Sequence, residues 1–238
     1  MCVDYIELWP VGPVLEESRD AEPVCTDSVL LASFPSLSGV KKAADFGCGS
    51  GLIAILLARR ATSIHVDCVE ISPAAAALAE RNIEKNDLSD RLRVLNRDLR
   101  SLREAEVGKY QLIITNPPYY PVGSGSAPAA ARQNAREERT CTLSELAETA
   151  SKLLGDGGRL ALVYPAERLA EAMRTLSAHG LEPKRLRLVQ ARPDTPPSVA
   201  LMECRRGGRP GLRVEPALLL KNPDGTDTDE VKAIYHRT

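Results

Sequence analysis

The chain has no uninterrupted apolar stretch near the roughly 18 residues that a membrane helix needs, so a membrane-embedded protein is not expected. Its first residues, Met1-Cys2-Val3-Asp4-Tyr5, lack the basic start and apolar run of an export signal. None of its six cysteines forms a Cys-x-x-Cys pair, and the three histidines (His65, His179, His236) stand near no cysteine pair. Zinc sites draw on closely spaced ligands, so no metal is expected. Scattered thiols without an export signal fit a reducing, cytoplasmic setting. An excess of either charge is missing as well, because 31 Lys and Arg face 32 Asp and Glu. A formal net charge of −1 gives no global attraction to nucleic acid. There is no internal repeat, and no pattern sets an oligomeric state. With 238 residues the chain can bury one substantial core, so a single domain is the expectation.

The middle of the chain alternates strand and helix patterns. Strands are predicted at 40–46, 64–71, 92–96, 110–115 and 159–164, with helices at 52–59, 73–85, 142–154 and 166–179. Ser72 and Pro73 suit the start of the second helix, as cap and first-turn residue. Strands separated by helix-length segments imply crossover connections and a mostly parallel sheet. Two last strands, 185–190 and 198–204, read as an antiparallel pair. Residues 121–139 and the tail after Arg206 read as mobile. The first of these follows a motif described below, where ligand-binding loops belong in an open α/β sheet. Between 184 and 209, seven bases (Lys184, Arg185, Arg187, Arg192, Arg205, Arg206, Arg209) stand against Asp194 and Glu203. They form either a phosphate-binding stretch or a solvated face.

Asp45-Phe46-Gly47-Cys48-Gly49-Ser50-Gly51 follows the first strand and opens a helix. Gly47, Gly49 and Gly51 let backbone approach a ligand without a Cβ in the way, and they aim free N–H groups at it. Dinucleotide sites space their glycines Gly-x-Gly-x-x-Gly; this spacing differs. Asp45 suits the cationic end of an amino-acid tail better than a phosphate. Glu70 ends the next strand, 25 residues on, where a carboxylate can accept ribose hydroxyls. Asp98 follows the third strand and can meet an adenine amine. Glycines, Glu70 and Asp98 at successive strand ends resemble the class I S-adenosylmethionine-dependent methyltransferases over residues 26–205. That resemblance implies a Rossmann-like α/β fold with helices on both sheet faces. It frames residues 1–25 as an extension, 26–205 as a catalytic core and 206–238 as a tail.

Asn116-Pro117-Pro118-Tyr119 stands just behind the apolar run Tyr110 to Thr115. An aryl amine is a poor nucleophile because its lone pair is delocalised into the ring. The Asn116 side-chain oxygen and the Pro117 carbonyl can accept its two hydrogens and hold the nitrogen toward tetrahedral geometry. The prolines stiffen the turn and preorganise those acceptors. Tyr119 can stack on a planar ring, a contact worth about 1–3 kcal/mol per base in single-strand binders. Planar amides pose the same problem, so methylation of a protein glutamine N5 in a release factor is an alternative. A cofactor-binding module without catalysis is another, although no motif carries a visible defect.

Thr26-Asp27-Ser28-Val29-Leu30-Leu31-Ala32, together with Asn116-Pro117-Pro118-Tyr119-Tyr120, resembles the bacterial tRNA adenine-N6 methyltransferases, which modify the adenine beside the anticodon of a valine tRNA. The pair Ala135-Arg136, the run 165–169 and the end Asp229 to Tyr235 extend the likeness across nearly the whole chain. The resemblance implies S-adenosyl-L-methionine as cofactor. Asp27, Asp45, Gly47, Gly49, Gly51, Glu70, Ile71, Asp98, Leu99 and Asn116 then line its cleft. Asn116, Pro117, Pro118 and Tyr119 form the acceptor pocket. tRNA is the implied partner, with Tyr120, Arg132, Arg136 and Arg139 and the C-terminal bases toward it. Members often carry a histidine after the Ala-Arg pair. Here Glu137 stands instead, an acid that weakens any phosphate contact of that loop. Trp9 reads as packing.

Overall fold

The structure is a computed structural model that describes residues 5–16, 25–107, 109–117 and 141–237. Pro118, Tyr119, Tyr120, Arg132, Arg136 and Arg139 lie outside the described residues, as does the whole of 121–139.

Two short strands, β1 (Tyr5–Glu7) and β2 (Val14–Glu16), form an antiparallel hairpin. Then come α1 (Thr26–Ser33), β3 (Lys42–Phe46), α2 (Leu52–Arg60), β4 (His65–Glu70), α3 (Pro73–Lys85) and β5 (Leu92–Asn96). A 3-10 turn at Leu99–Ser101 and a short α4 (Glu104–Val107) lead to β6 (Tyr110–Thr115). The rest is α5 (Leu143–Leu153), β7 (Leu154–Pro165), α6 (Leu169–Ala178), β8 (Leu181–Gln190), β9 (Val199–Arg206), β10 (Arg213–Val214), β11 (Leu218–Leu219) and α7 (Asp229–Ile234).

The main sheet runs β10-β8-β9-β7-β6-β3-β4-β5, with β11 also paired to β8. Strands β5, β4, β3, β6 and β7 are mutually parallel. Strand β9 runs antiparallel to both β7 and β8, so the expected final antiparallel pair is present. Strand side chains alternate between two faces. Ala43, Cys68, Leu112, Ile114, Ala161 and Val163 pack with α1, α2 and α3. Ala44, Val69, Ile113, Leu160, Leu162 and Tyr164 pack with α5 and α6. Each central strand is therefore buried on both sides, which is why it reads as an unbroken apolar run. The mostly parallel sheet with helices on both faces agrees with the sequence reading.

Helix starts follow their side chains. Ser72 Oγ accepts the Ala75 N–H ahead of α3, with Pro73 in the first turn. Thr142 and Glu145 form a reciprocal capping box at α5. Beyond α5 the glycines do not make a separate turn, and β7 begins at Leu154, five residues before the predicted strand. The segment predicted as one helix from 166 opens as a 3-10 turn, Ala166–Arg168, before α6.

The tail after Arg206, expected to be mobile, is built into the fold. Strands β10 and β11 pair with β8, and Leu218 and Val231 are buried. The Tyr235 hydroxyl engages Thr26 of α1, and the Trp9 ring meets Tyr235 edge-on at 6.4 Å. Trp9 is thus a packing residue, as the sequence reading has it. The N-terminal hairpin is held by α3. Asn82 Oδ1 accepts Glu16 N–H at 2.7 Å, and Asn86 bonds both backbone groups of Val14.

Candidate active site

The chain steps from β3 outward to β4 and β5, then returns to place β6 on the other flank of β3. The strand order reverses between β3 and β6. In an open α/β sheet, ligands bind at the carboxyl ends of the strands beside such a reversal. Register fixes what stands there. Phe46 pairs with Val69, Asp45 with Ile114, and Glu70 with Asn96. One or two residues further on, Gly47, Glu70, Asp98 and Asn116 emerge at the same edge of four adjacent strands. The Thr115 hydroxyl donates to the Phe46 carbonyl at 2.8 Å, both within the protein interior, and ties the last residue of β6 to the last of β3.

The glycine turn is left-handed at Gly47 (φ 71°), Gly49 (φ 53°) and Gly51 (φ 81°), where a side chain is strained. A Cβ placed on Gly47 or Gly49 meets no atom within 4 Å among the described residues, so the turn faces open space. Gly47 and Cys48 N–H groups both donate to the Val69 carbonyl, at 2.9 and 3.1 Å. Glu70 braces the turn, accepting the Gly49 N–H at 3.0 Å and the Ser72 N–H at 2.8 Å. Each carboxylate oxygen keeps acceptor capacity after one such bond. Ile71 beside it is 46% exposed, an apolar surface at the mouth of the turn.

Asp45 lies beneath the turn, with 0% exposure, rather than on the surface of the cleft. Neither of its oxygens has a hydrogen-bond partner of normal geometry among the described residues. Burial pushes its carboxyl up to about 8; the nearby Ala54 amide offsets part of this, and the Glu70 charge adds to it. An orphaned buried carboxyl under an open left-handed turn fits a ligand with a cationic end.

Asp98 is engaged differently from the expectation of an open adenine acceptor. It caps the 3-10 turn and accepts the Arg100 N–H at 2.9 Å. The Arg100 guanidinium also grips it, with Nη2 2.6 Å from Oδ2, and its hydrogen bonds hold the Asp98 carboxyl below the usual range. Arg100 reaches on to Glu145 of α5 at 2.9 Å. Leu99 is half-buried in the same turn.

Asn116 is half-buried and Pro117 buried, directly beyond β6. The Asn116 Nδ2 group donates to Ser28 Oγ at 3.1 Å and to Cys25 Sγ at 3.4 Å. Asp27 stands in the first turn of α1, so this helix start borders the same cleft. Sequence reading missed Cys25 and Ser28. They lie about ninety positions from Asn116, and only the sheet brings them to it.

Four of the seven C-terminal bases have partners within the fold. Strand β8 lies four places from β3 in the sheet order. Arg185 pairs with Glu215 at 3.0 Å, Arg187 with Glu230 at 2.7 Å, and Arg206 with Asp156 at 3.0 Å. Lys184 donates to the Arg209 carbonyl at 3.0 Å. Among the described residues no group of His, Cys, Asp and Glu could hold a metal ion, and no helix is long and apolar enough to cross a membrane.

Sheet order, switch point and glycine turn together define the Rossmann-like class I methyltransferase fold. Solved structures agree: a predicted O-methyltransferase of Agrobacterium tumefaciens superposes with a TM-score of 0.72 at 23% identity, covering 89% of this chain and 96% of that one. A methyltransferase from Pyrococcus furiosus superposes at 0.60 and 21% identity, covering 82% and 89%. The sequence model of the methyltransferase small domain matches residues 25–179. A tRNA1(Val) (adenine(37)-N6)-methyltransferase of Tolumonas auensis is 34% identical over 92% of this chain and 91% of its own. One of the same description from Parabacteroides distasonis is 36% identical over 77% and 76%. The chain belongs to the methyltransferase small-domain family and, within it, to the family of tRNA1(Val) (adenine(37)-N6)-methyltransferases.

Proposed function

We propose that this protein transfers the methyl group of S-adenosyl-L-methionine to N6 of an adenine in tRNA, the adenine beside the anticodon of a valine tRNA. The observation that supports it most directly is the shared strand edge. Asn116 of the acceptor motif and the glycine turn leave neighbouring strands, β6 and β3, on the same side of the sheet. A donor and an acceptor held there meet face to face.

The cofactor, when bound, supplies an electrophilic methyl carbon on a sulfonium. The residues present suit it. Gly47 and Gly49 admit its amino-acid tail against bare backbone, and Asp45 answers the ammonium from below. Glu70 accepts ribose hydroxyls with its remaining lone pairs, and Ile71 covers one face of the adenine ring. Asp98, through the capacity that Arg100 leaves it, takes the ring's amine. On the other side the target base leaves its stack to enter the pocket. The Asn116 Oδ1 and Pro117 carbonyl accept the two hydrogens of its exocyclic amine, which concentrates the nitrogen lone pair on the methyl. Pro118 and Tyr119 complete this pocket in our reading, the tyrosine by stacking. Arg132, Arg136 and Arg139 carry the RNA backbone, together with the C-terminal bases that the fold's own acids do not engage.

The test is transfer of labelled methyl from S-adenosyl-L-methionine to tRNA, followed by digestion and resolution of nucleosides. Label is expected in N6-methyladenosine. Asn116→Ala should lower the rate by on the order of 10²-fold, as loss of a preorganised polar group at a reacting centre does. Label in release factor and none in tRNA would replace the RNA reading with glutamine methylation. Cofactor binding with neither product would leave only a binding module.

A further inference from the structure

We infer that Cys25 and Ser28 are positioning residues that decide which end of the Asn116 amide faces the acceptor amine. The inference rests on the acceptor role of Asn116 proposed above. An asparagine amide has two ends of nearly equal size: an oxygen that accepts and an NH2 that donates. Turning it over costs little in steric terms, because the terminal torsion is broad and roughly two-fold. Chemically the two orientations are opposites. With Oδ1 toward the target, the amide accepts a hydrogen of the amine. With Nδ2 there, two donors face each other and the lone pair is left undirected.

Hydrogen counting shows why one orientation wins. Asn116 Nδ2, Cys25 Sγ and Ser28 Oγ form a closed triangle with edges of 3.4, 3.1 and 3.1 Å. Three edges need three hydrogens. In the observed orientation the NH2 supplies two, and either the thiol or the hydroxyl supplies the third. Every edge is filled, and one hydrogen is left over to bond elsewhere. With the amide reversed, its oxygen supplies none, and the thiol and hydroxyl together hold only two. One edge then sets two acceptors against each other in a half-buried place, where an unmade bond is costly. Removing either Ser28 Oγ or Cys25 Sγ opens the triangle. The single edge that remains can be satisfied by the amide in either orientation, so the preference disappears.

Cys25 occupies the N-cap position yet its side chain makes no capping bond, and Ser28 stands within the first turn. Both side chains meet each other and Asn116, just beyond β6. The start of α1 is held in turn by the Tyr235 hydroxyl on Thr26.

The experiment measures kcat and KM for labelled methyl transfer to tRNA in Ser28→Ala, Cys25→Ala and the double variant. Each single change is expected to lower kcat about 2- to 3-fold, since an amide without a preference faces the amine with its oxygen about half the time, and the double by little more. The KM for cofactor and the affinity for tRNA should stay within about twofold. Cys25→Ser and Ser28→Thr keep the hydrogen count and should retain most of the rate. Cys25→Val, which fills space without donor or acceptor, replaces Cys25→Ala if that variant melts early. A double variant with unchanged kcat, beside an inactive Asn116→Ala, overturns the inference. So does a loss confined to cofactor KM, or a failure of Cys25→Ser to restore the rate. Full activity in Asn116→Ala itself strikes instead at the acceptor reading beneath it.

Discussion

The strand ends of β3, β4 and β6 and the outer strands β8 to β10 are both rich in charge, yet they handle it in opposite ways. On the outer strands acids answer the bases. Glu203, nearly buried, is shared by Arg159 at 2.9 Å and Arg185 at 3.7 Å, and Glu215 and Glu230 take further arginines. At the strand ends the carboxylates meet backbone N–H groups, as Glu70 does, or, as with Asp45, have no hydrogen-bond partner of normal geometry among the described residues. Satisfied charge holds a fold together, while a buried group without a partner marks a place kept for a ligand. Charge density along the sequence does not separate the two. Of the seven bases of 184–209, Lys184, Arg185, Arg187 and Arg206 have partners within the fold that their density in the sequence does not reveal.

The sharpest way to break this contrast is to remove Glu70. Its two oxygens hold Gly49 and Ser72 by their backbone N–H groups, so it shapes the turn, and in the proposed cofactor site its remaining lone pairs would meet the ribose. Glu70→Ala should weaken cofactor affinity by about 100-fold, in line with loss of hydrogen bonds to a charged group. Titration calorimetry with S-adenosyl-L-methionine reads this directly. Affinity unchanged within a factor of two would make Glu70 a structural brace only, no different in kind from Glu203.

Asp45 gives a smaller effect with a defined sign. Its folded pKa, about 8, lies above the ordinary carboxyl value of 3.8, with burial the main cause. Between those values the unfolded chain loses the proton while the folded one keeps it. Stability from this group is therefore fully present below about pH 4, falls as pH rises, and is lost above about pH 8. Asp45→Asn should flatten that dependence, so its melting temperature relative to the parent rises from pH 5 to pH 8 by on the order of ten degrees. The cofactor's ammonium favours the ionised carboxylate, so binding to the parent near pH 7 should release a proton. Binding enthalpies in buffers of different ionisation enthalpy reveal it. No release would mean that Asp45 is a buried acid without a ligand, and the contrast with the outer strands would lose its clearest member.

How legible these regions were in the sequence follows from how local their causes are. The parallel core could be read because β3, β4, β6 and β7 are buried on both faces and appear as apolar runs between capped helices. Gly47, Glu70 and Asp98 could be placed because a strand end is a local event. By contrast, α1 shows no amphipathic period, since Val29, Leu30, Leu31 and Ala32 are all buried in one continuous run. Strands β10 and β11 are two residues each and exist only because β8 offers an edge. The triangle of Cys25, Ser28 and Asn116 joins residues that no spacing rule connects. Arg100 is the plainest miss. It stands two residues from Asp98, and its grip on that acid depends on a side-chain path that sequence does not show.

The smallest expected effect tests the other half of the contrast. Arg187 lays its guanidinium against both oxygens of Glu230, the second residue of α7, and donates to the Pro216 carbonyl at 3.0 Å. If this arginine belongs to the fold and not to RNA, Arg187→Ala leaves the salt dependence of tRNA binding as it is. A phosphate contact would take about one unit from the slope of log affinity against log salt. The stability cost is also small, because Glu230 is half exposed and an exposed pair contributes roughly 0.2–1 kcal/mol. A double-mutant cycle with Glu230→Ala should return a coupling of that size. A reduced salt slope in Arg187→Ala would return the outer strands to the RNA surface. Satisfied charge could then no longer be taken as the mark of a merely structural region.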